Sequence, residues 1–299
     1  MHHMRPITIV VASDDNYIIL LAALINSIES NLRASQTIDV WVIEDEVCSR
    51  NKRKLKKSIN PAITNLHWQR MVDVIPPGIQ LPLDRSSYPL NIYMRLFIPY
   101  FIPKEIEKVL YLDVDMIVQK DLSTLYETDL GDALVGAVLD PRIITFDNQW
   151  GGVLNYQELG LEAKTRYFNT GLLLIPTIKW REQGIAEKII NCIDEHRKFA
   201  NYPDQYGMNV VLANRWMELN PLWNHFCTFD HLDPFLIHYV QRKPIYKSYN
   251  NSIVYQKIFY NYLSRTAWKN TKPRGEPARY YEKLKNVAEK ILKQFGFNL

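Results

Sequence analysis

Residues 109–118 read VLYLDVDMIV and place two carboxylates inside one of the most apolar stretches of the chain. A run this rich in Val, Leu and Ile is typical of a buried strand, and we predict a strand over residues 109–118. Because side chains alternate along a strand, Asp113 and Asp115 point to the same side if the strand continues through them. A buried carboxylate is costly unless a partner compensates its charge, so this pair predicts a counter-charge nearby.

A divalent cation is one way to supply that charge. Two neighbouring carboxylates resist joint ionisation, and a cation between them removes the repulsion. Carboxylate oxygens suit Mg²⁺ or Mn²⁺, which keep open positions for phosphate oxygens and stabilise the charge of a departing diphosphate. The pair also fits a plain strand-end turn with two solvated aspartates, so other parts of the chain must decide between the two interpretations.

Apolar runs alternate with amphipathic segments through the first half of the chain. Residues 7–12 (ITIVVA) are apolar on both faces, as in a buried parallel strand, and are followed by helix-capping residues at 13–16. Strands that alternate with helices favour an α/β fold with a mainly parallel sheet flanked by helices. Further strands are predicted at residues 38–43, 133–139 and 168–175, and helices at residues 18–32, 50–57, 178–199 and 205–213.

Composition and missing motifs exclude several classes of protein. Of the 299 residues, 47% are hydrophobic and 23% charged, as in ordinary soluble globular proteins. The chain has neither G-x-G-x-x-G nor G-x-x-x-x-G-K-[ST], so a glycine-cradled dinucleotide or P-loop site is not expected. Three widely spaced cysteines argue against a disulfide framework or a zinc knuckle and for a reducing compartment. With no signal-peptide pattern and no apolar run of membrane-spanning length, we expect a cytoplasmic protein.

The segment that begins at residue 246 is basic and aromatic. It contains eleven Lys and Arg residues against three Glu, although the whole chain has a net charge of only +4. This composition is typical of a membrane-surface segment, and the alternative is a solvated helical appendage; no nucleic-acid-binding motif accompanies the charge. We predict a domain over residues 1–247 and a helical, basic and aromatic appendage over residues 248–299. Its aromatic residues include Tyr255, Phe259, Tyr260, Tyr262, Trp268, Tyr280 and Tyr281.

Six short motifs follow one another between residues 6 and 247. They read ASDDNY at 12–17, YMRLF at 93–97, KVLYLDVD at 108–115, YFNTGLLLI at 167–175, DQ at 204–205 and HYVQRKP at 238–244. Together they resemble the family 8 glycosyltransferases, the retaining, UDP-sugar-dependent enzymes that include bacterial lipopolysaccharide α-galactosyl- and α-glucosyltransferases and glycogenin. The resemblance implies the GT-A fold, a Rossmann-like fold of nucleotide-diphospho-sugar transferases.

The resemblance also implies roles for individual residues. Asp113, Asp115 and His238 match the protein ligands of a Mn²⁺ (or Mg²⁺) ion on the diphosphate of UDP. Arg95 matches an arginine that reaches the diphosphate and the donor sugar, and Lys243 matches a lysine that binds the phosphates. The other matches are Ala12, Asp14, Asn16 and Tyr17 in the uridine pocket, Val114 against the nucleotide, and Asn169, Asp140, Asp204 and Gln205 around the transferred sugar.

Each matched residue also fits an ordinary structural role. Asp14 and Asn16 fit the cap of the first helix, Arg95 fits a surface arginine, and His238 fits a hydrogen-bonded core histidine. The shared order of the motifs favours the functional interpretation. Among the rest, Tyr17 fits a half-buried core residue, Asn169 a strand-end turn, and Asp204 and Gln205 the first turn of a helix.

The sequence departs from the family pattern in three places. The last motif usually reads H-[YF]-x-G-x-x-K-P-W, but here Gln241 replaces the glycine, Ile245 replaces the tryptophan, and one residue is missing before Lys243. Glycine lets the backbone approach a phosphate closely, so we expect this loop to follow another path and Arg242 to supply charge. Tyr206 stands where a second acid is usual, and the tail beyond residue 247 matches no motif.

The implied function is a Mn²⁺-dependent retaining transfer of a hexose, galactose or glucose, from a UDP-sugar to a glycan acceptor. We expect a lipopolysaccharide or another envelope or lipid-linked saccharide as acceptor, handled at the inner face of the membrane. Gln205 is a poor nucleophile and Asp140 is a plausible one, and we favour front-face attack in which a diphosphate oxygen takes the acceptor proton. Two other classes stay open: a sugar nucleotidyltransferase, which usually carries a glycine-rich phosphate loop, and a non-catalytic scaffold with the same fold.

Overall fold

The computed structural model describes residues 5–83 and 88–294. Its strands are β1 (Ile7–Asp14), β2 (Ile38–Asp45), β3 (Thr64–Arg70), β4 (Lys108–Leu112), β5 (Met116–Val118), β6 (Val135–Leu139), β7 (Phe168–Pro176), β8 (Trp216–Glu218), β9 (His225–Phe226) and β10 (Leu236–His238). Its α-helices are α1 (Ile18–Asn31), α2 (Ser49–Lys56), α3 (Met71–Val74), α4 (Ile98–Phe101), α5 (Ser123–Tyr126), α6 (Thr177–Glu182), α7 (Ile185–Glu195), α8 (Pro203–Val211), α9 (Ile253–Leu263) and α10 (Glu276–Gln294), and 3₁₀ helices lie at Leu90–Phe97, Arg197–Phe199 and Pro221–Asn224.

The strands form a large sheet and a small one. The large sheet has the order β3-β2-β1-β4-β7-β6-β8, and the small sheet has the order β5-β10-β9. In the large sheet, β7 runs antiparallel to β4 and β6, and the other neighbouring pairs are parallel. The predicted α/β class with a mainly parallel sheet flanked by helices is confirmed.

Both faces of the large sheet are covered by helices, as the doubly apolar strands require. Ile9 and Val11 of β1 belong to a buried cluster that includes residues of α1 and α9. Val10, between them, belongs to a cluster on the other face that includes residues of α7. The alternation along β1 therefore assigns α1 and α9 to one side of the sheet and α7 to the other.

The predicted single strand over residues 109–118 is wrong. The chain forms β4, turns at Asp113–Asp115, and continues as β5 in the other sheet. The N–H of Asp113 donates to the carbonyl of Gly171 (2.8 Å), whereas the carbonyl of Asp115 accepts from the N–H of Tyr239 (2.8 Å). Because the two residues are bonded to different sheets, strand alternation does not determine where their side chains point.

Two further differences from the predicted elements have local causes. The predicted helix over residues 178–199 is divided into α6, α7 and a 3₁₀ turn, and the first break falls at Gly184, whose φ of 56° is left-handed. Strand β3 was not predicted, because its sequence TNLHWQR is largely polar and the strand lies at the edge of the sheet. The predicted helices over residues 18–32, 50–57 and 205–213 correspond to α1, α2 and α8.

The segment after residue 247 begins with a helix that packs on the core. Tyr255, Phe259 and Leu263 of α9 are buried in the same cluster as β1 and α1, and Trp268 joins them. These rings therefore contact protein rather than solvent, whereas Tyr281 of α10 is 72% exposed. The division at residue 247 stays a prediction, and residues 295–299 of the predicted appendage lie outside the described part.

Among the described residues, no helix is both long enough and apolar enough to cross a bilayer.

Candidate active site

A cavity of about 840 Å³ lies where β4 ends and the chain turns toward β5. Open α/β sheets bind ligands beyond the carboxyl ends of their strands, and this cavity has that position. A second cavity of about 270 Å³ shares part of its wall. Of the predicted site residues, Tyr17, Asp113, Asp115, Asp140, Asn169, Gln205, His238 and Lys243 line the first cavity, and Ala12, Arg95, Val114 and Asp204 line the second.

Asp113, Asp115 and His238 converge on one point. One ligand atom from each lies within 4.8 Å of the others, and Nε2 of His238 is 3.9 Å from Oδ2 of Asp113 and 3.4 Å from Oδ1 of Asp115. Gly171 leaves room beside them, because a Cβ there would lie 2.6 Å from Cε1 of His238 and 3.0 Å from Oδ2 of Asp113. Two carboxylates and an imidazole fit Mn²⁺ or Mg²⁺ better than a soft metal.

Positive side chains surround the two carboxylates. Lys243 contacts Oδ2 of Asp115 and donates to the carbonyl of Tyr239 (3.0 Å). Burial alone would raise the pKa of Asp115, but the charge of Lys243 and the contact with the imidazole of His238 hold it well below its usual range. The carboxylate is therefore ionised at neutral pH and remains able to bind a cation.

Arg95 is buried, so the interpretation as a surface residue is wrong. It is 6% exposed, lies over the ring of Tyr111 (4.7 Å to the centroid), and donates to the carbonyl of Thr170 (2.6 Å). It also donates to Oδ1 of Asp113 (3.0 Å), which accepts a second hydrogen bond from the hydroxyl of Tyr111 (2.7 Å). Arg95 therefore fixes Asp113 directly, and its guanidinium reaches the wall of the second cavity.

A second polar cluster joins Asp140, Asn169 and Gln205. Oδ2 of Asp140 accepts from Nδ2 of Asn169 and from Nε2 of Gln205, both at 3.2 Å. Oδ1 of Asp140 accepts from the N–H groups of Arg142 (2.9 Å) and Ile143 (3.1 Å). The carboxylate of Asp140 thus accepts four hydrogen bonds, and Gln205 is held in one orientation beside it.

Asp204 lies beside this cluster, on the side of Arg95. Its Oδ2 is 3.4 Å from Nε of Arg95 and accepts from the hydroxyl of Thr170 (3.3 Å). Burial raises the pKa of Asp204, although the charge of Arg95 opposes the shift. Because its carboxylate is turned toward Arg95, Asp204 supports the arginine in addition to lining the second cavity.

The predicted uridine-pocket residues are divided between two cavities. Ala12 and Tyr17 line the cavity that contains Asp113, whereas Asp14 and Asn16 line a neighbouring cavity of about 290 Å³. Oδ1 of Asp14 accepts from the N–H groups of Asn16 (2.9 Å) and Tyr17 (2.8 Å), so Asp14 orders the turn between β1 and α1. The N-cap of α1 is Tyr17, without a side-chain capping hydrogen bond, so the interpretation of Asp14 and Asn16 as the helix cap is wrong.

In the loop after His238, the residue that replaces the glycine of the family pattern has a left-handed backbone conformation. Gln241 has a φ of 66°, a conformation that glycine adopts without strain and that other residues rarely adopt. Ile245, which replaces the tryptophan, is 1% exposed and packs in the core. Arg242 donates to the hydroxyl of Ser248 (2.9 Å) and lines the first cavity with Lys243.

Several residues of the site were not predicted from the sequence. Asn224, which lies in none of the motifs, accepts from Nδ1 of His238. Tyr111 lies within the motif at 108–115, but its hydrogen bond to Asp113 was not predicted. Trp150 and Tyr202 line the first cavity with their ring centroids 5.8 Å apart. Tyr206 is no substitute for an acid in the site, because its ring is buried and its hydroxyl donates to Asn155 (2.8 Å).

The chain belongs to glycosyl transferase family 8, whose model matches residues 8–262, so the protein is a glycosyltransferase. Its mainly parallel sheet, with a cavity beyond the end of β4, agrees with the GT-A fold of the solved structures described below. General stress protein A of Bacillus subtilis is 27% identical over 295 residues, which cover 90% of this chain and 96% of that protein. Glycosyltransferase GlyF of Streptococcus pneumoniae is 25% identical, over 82% of this chain and 58% of GlyF.

Solved structures show the same fold. The galactosyltransferase LgtC, in complex with donor and acceptor sugar analogues, has a TM-score of 0.71 at 23% identity, over 93% of this chain and 100% of that one. The bifunctional glycosyltransferase WbbM also has a TM-score of 0.71, at 22% identity, over 93% of this chain and 52% of that one.

Proposed function

We propose that this glycosyltransferase is a Mn²⁺-dependent, retaining enzyme that transfers galactose or glucose from a UDP-sugar to a glycan acceptor. One observation carries the proposal: Asp113, Asp115 and His238 converge at the same cavity as the hydrogen-bonded pair Asp140 and Gln205. A cation-binding cluster beside a rigid polar cluster fits a reaction in which a diphosphate leaves and a sugar cation is stabilised.

The metal would be held by Asp113, Asp115 and His238, with Gly171 leaving the space that their side chains need. When bound, a divalent cation supplies positive charge that stabilises a departing diphosphate. Lys243 adds a charge of the protein itself, because its ammonium lies at Asp115 on the cavity wall. The proposed role of Lys243 is to bind phosphate oxygens, with Arg242 as a second cation on the same wall.

The donor nucleotide would lie in the smaller cavity. Tyr17 offers a ring on which uracil can stack, and Ala12 and Val114 are small enough to line the nucleotide. Arg95 is rigidly held by Thr170 and Asp113, so it presents a fixed charge to the diphosphate side. We assign Asp14 and Asn16 to the uracil edge, although Asp14 also accepts from the N–H of Tyr17 in the turn before α1.

Transfer would proceed by front-face attack. The oxygens of Asp140 accept four hydrogen bonds, which stabilise the carboxylate and reduce its power as a nucleophile. Gln205 is a neutral amide and stabilises the sugar cation from a fixed position beside Asn169. The acceptor oxygen then bonds to the anomeric carbon, the bond to the diphosphate breaks, and the leaving phosphate oxygen takes the acceptor proton. Asp204 contributes by holding Arg95.

The acceptor would be a saccharide, with envelope glycans such as lipopolysaccharide as the proposed class. Trp150 is 57% exposed and, with Tyr202, presents ring faces to the cavity that contains Asp140. Aromatic faces with polar edges suit sugar rings, which are apolar on one face and carry hydroxyls at the rim.

We also propose that the enzyme works at the cytoplasmic face of a membrane. The basic helix α2 meets the C-terminal segment, because Nζ of Lys54 lies 4.2 Å from the ring centroid of Trp268. Burial is the larger cause that lowers the pKa of Lys54, and the charges of Arg50 and Arg274 lower it further, so three cationic side chains lie in this region. An anionic lipid surface would compensate these charges, and the exposed ring of Tyr281 is available to the headgroup region. The division at residue 247 remains part of this proposal.

A donor panel tests the function. The purified protein is incubated with Mn²⁺ and UDP-glucose, UDP-galactose, UDP-GlcNAc or UDP-xylose, and free UDP and pyrophosphate are quantified. UDP release from a hexose donor is expected. A parallel incubation with UTP and a hexose 1-phosphate tests the rival function, because a sugar nucleotidyltransferase releases pyrophosphate from that pair of substrates. If Mn²⁺ with UDP fails to raise the melting temperature, the protein is a scaffold, since a ligand of the native state must stabilise it.

A further inference from the structure

Asn224 connects the predicted metal cluster to the predicted transfer cluster. It lies at the end of the 3₁₀ helix Pro221–Asn224, just before β9, and is 2% exposed. Its Oδ1 is 2.8 Å from Nδ1 of His238, and its Nδ2 donates to Oδ1 of Asn169 at 2.8 Å. A buried amide with both ends bonded is fixed in orientation, so it constrains both partners.

The backbone N–H of Gly171 determines which end of Asn224 donates and which end accepts in its two hydrogen bonds. The N–H of Gly171 donates to Oδ1 of Asn169 (2.9 Å), so this oxygen is an acceptor. Asn224 must therefore turn its NH₂ group toward Asn169 and its oxygen toward His238. An oxygen that faces Nδ1 of His238 requires a proton on Nδ1. In a neutral imidazole, the lone pair is then on Nε2, which is the nitrogen nearest to Asp115 (3.4 Å).

The chain of hydrogen bonds continues to Gln205. With its oxygen toward Asn224, Asn169 has its NH₂ group free to donate to Oε1 of Gln205 (3.1 Å) and Oδ2 of Asp140 (3.2 Å). Oε1 of Gln205 therefore acts as an acceptor, and its Nε2 is turned to Asp140. One backbone N–H thus sets the orientation of every amide between His238 and Gln205.

We propose that Asn224 is a positioning residue that fixes His238 in the Nδ1–H tautomer, with Nε2 ready to bind the metal, and that orients Asn169 toward Gln205. The metal part rests on the proposed function. Asn224 touches neither predicted ligand carboxylate, and its effect passes through His238 on one side and Asn169 on the other. Removing such an outer partner typically weakens metal affinity about 10–100-fold.

Two substitutions separate the two effects. Asn224→Leu removes both hydrogen bonds in a similar volume. Asn224→Asp keeps an acceptor for Nδ1 of His238 but sets a second acceptor against Oδ1 of Asn169. Asn220→Ala is the matched control, because Asn220 caps the same 3₁₀ helix through the N–H of Leu222 (2.9 Å).

Three measurements are made on the full chain: Mn²⁺ affinity by electron paramagnetic resonance of the free ion, the ¹⁵N resonances of the neutral His238 ring, and turnover at saturating Mn²⁺. We expect Asn224→Leu to bind Mn²⁺ about 10–100-fold more weakly and to lose the Nδ1–H signature. Asn224→Asp should keep both the signature and the affinity but lose turnover. Asn220→Ala should match the wild type in all three.

The two proposals fail in different ways. If wild-type His238 carries its proton on Nε2, or if folded Asn224→Leu keeps wild-type Mn²⁺ affinity and tautomer, the role of Asn224 is wrong. If the wild type has the Nδ1–H signature and Asn224→Leu loses it, but neither binds Mn²⁺, the positioning of His238 stands and the metal-dependent function is wrong. The ¹⁵N resonances of the His238 ring are assigned by comparison with the spectrum of His238→Gln, in which they are absent.

Discussion

Nε2 of His238 lies 3.4 Å from Oδ1 of Asp115, and this approach is set by strand pairing. His238 pairs with Met116 in the antiparallel register of β10 and β5, so Asp115 immediately precedes the residue opposite the histidine. The pairing of β5 with β10 in the small sheet therefore brings His238, which is distant in the sequence, next to Asp113 and Asp115.

Asp113→Asn should abolish metal-dependent turnover without unfolding the protein. An asparagine oxygen can still accept the hydrogen bonds of Arg95 and Tyr111, while its NH₂ group replaces the Oδ2 that faces His238. We expect turnover of UDP-sugar to fall at least about 100-fold, with an unchanged circular dichroism spectrum. Asp39→Asn, on β2, is the control for loss of a carboxylate elsewhere. Near-normal turnover in Asp113→Asn would remove Asp113 from the site.

Gln241→Gly should stabilise the protein by about 1 kcal/mol, because glycine adopts the left-handed φ of residue 241 without the strain of a Cβ. The side chain of Gln241 is exposed, so little packing is lost. The free energy of unfolding is measured by urea denaturation. Gln241→Ala is the control and should gain nothing, since alanine keeps the Cβ. Equal stability of the glycine and alanine variants would mean that the loop is not strained at this residue.

Tyr206→Phe should lower stability by about 1–2 kcal/mol and leave turnover unchanged. The hydroxyl of Tyr206 is bonded to Oδ1 of Asn155 in a buried cluster, so its removal leaves a buried acceptor unsatisfied. Tyr206→Asp, which recreates the usual second acid, should be much less stable because it buries a carboxylate among apolar rings. A large loss of turnover in Tyr206→Phe, at wild-type stability, would instead indicate a catalytic role for the hydroxyl.

The combined variant Arg53→Gln with Lys57→Gln should bind anionic vesicles about 30-fold more weakly than the wild type, from two lost cationic contacts. Vesicles of phosphatidylglycerol and phosphatidylcholine are sedimented with the protein at physiological salt. The control replaces Lys188 and Lys198 by Gln. Lys188 lies on α7, on the opposite side of the sheet from α1 and from α2, which carries Arg53. Equal binding by both double variants, or none by the wild type, would contradict the membrane proposal.

The sequence predicted the layers of the fold because burial leaves a clear pattern. Residues 7–12 are apolar on both faces, and β1 is covered on both faces. The turn at Asp113–Asp115 was missed because apolar residues flank it on both sides, and a pattern of hydrophobicity does not show that β4 and β5 belong to different sheets. The aromatic tail fits either a membrane-surface segment or a helical appendage packed on its own domain, and the burial of Phe259 and Trp268 shows that these two rings pack on the protein.

The candidate site was predicted where residues belong to motifs and missed where they act through tertiary contacts. The motif residues Asp113, Asp115 and His238 do meet. Asn224 has no such signal, because its hydrogen bonds to Asn169 and His238 join residues that are distant in the sequence. Tyr111 lies two residues before Asp113, but the sequence does not show that its hydroxyl reaches the carboxylate. The left-handed φ of Gln241 could not be predicted either. The sequence shows that Gln241 replaces a glycine of the family pattern, but not which backbone conformation the residue adopts.

The affinity for UDP, measured by isothermal titration calorimetry with Mn²⁺ and with EDTA, tests most directly whether a metal ion joins the protein to the diphosphate. We expect Mn²⁺ to tighten UDP binding at least about tenfold, the usual scale of a coupling between two ligands, and Asp115→Asn to remove this gain. Equal affinity in Mn²⁺ and in EDTA, or a full gain in Asp115→Asn, would show that Asp113, Asp115 and His238 do not hold a cation on the diphosphate.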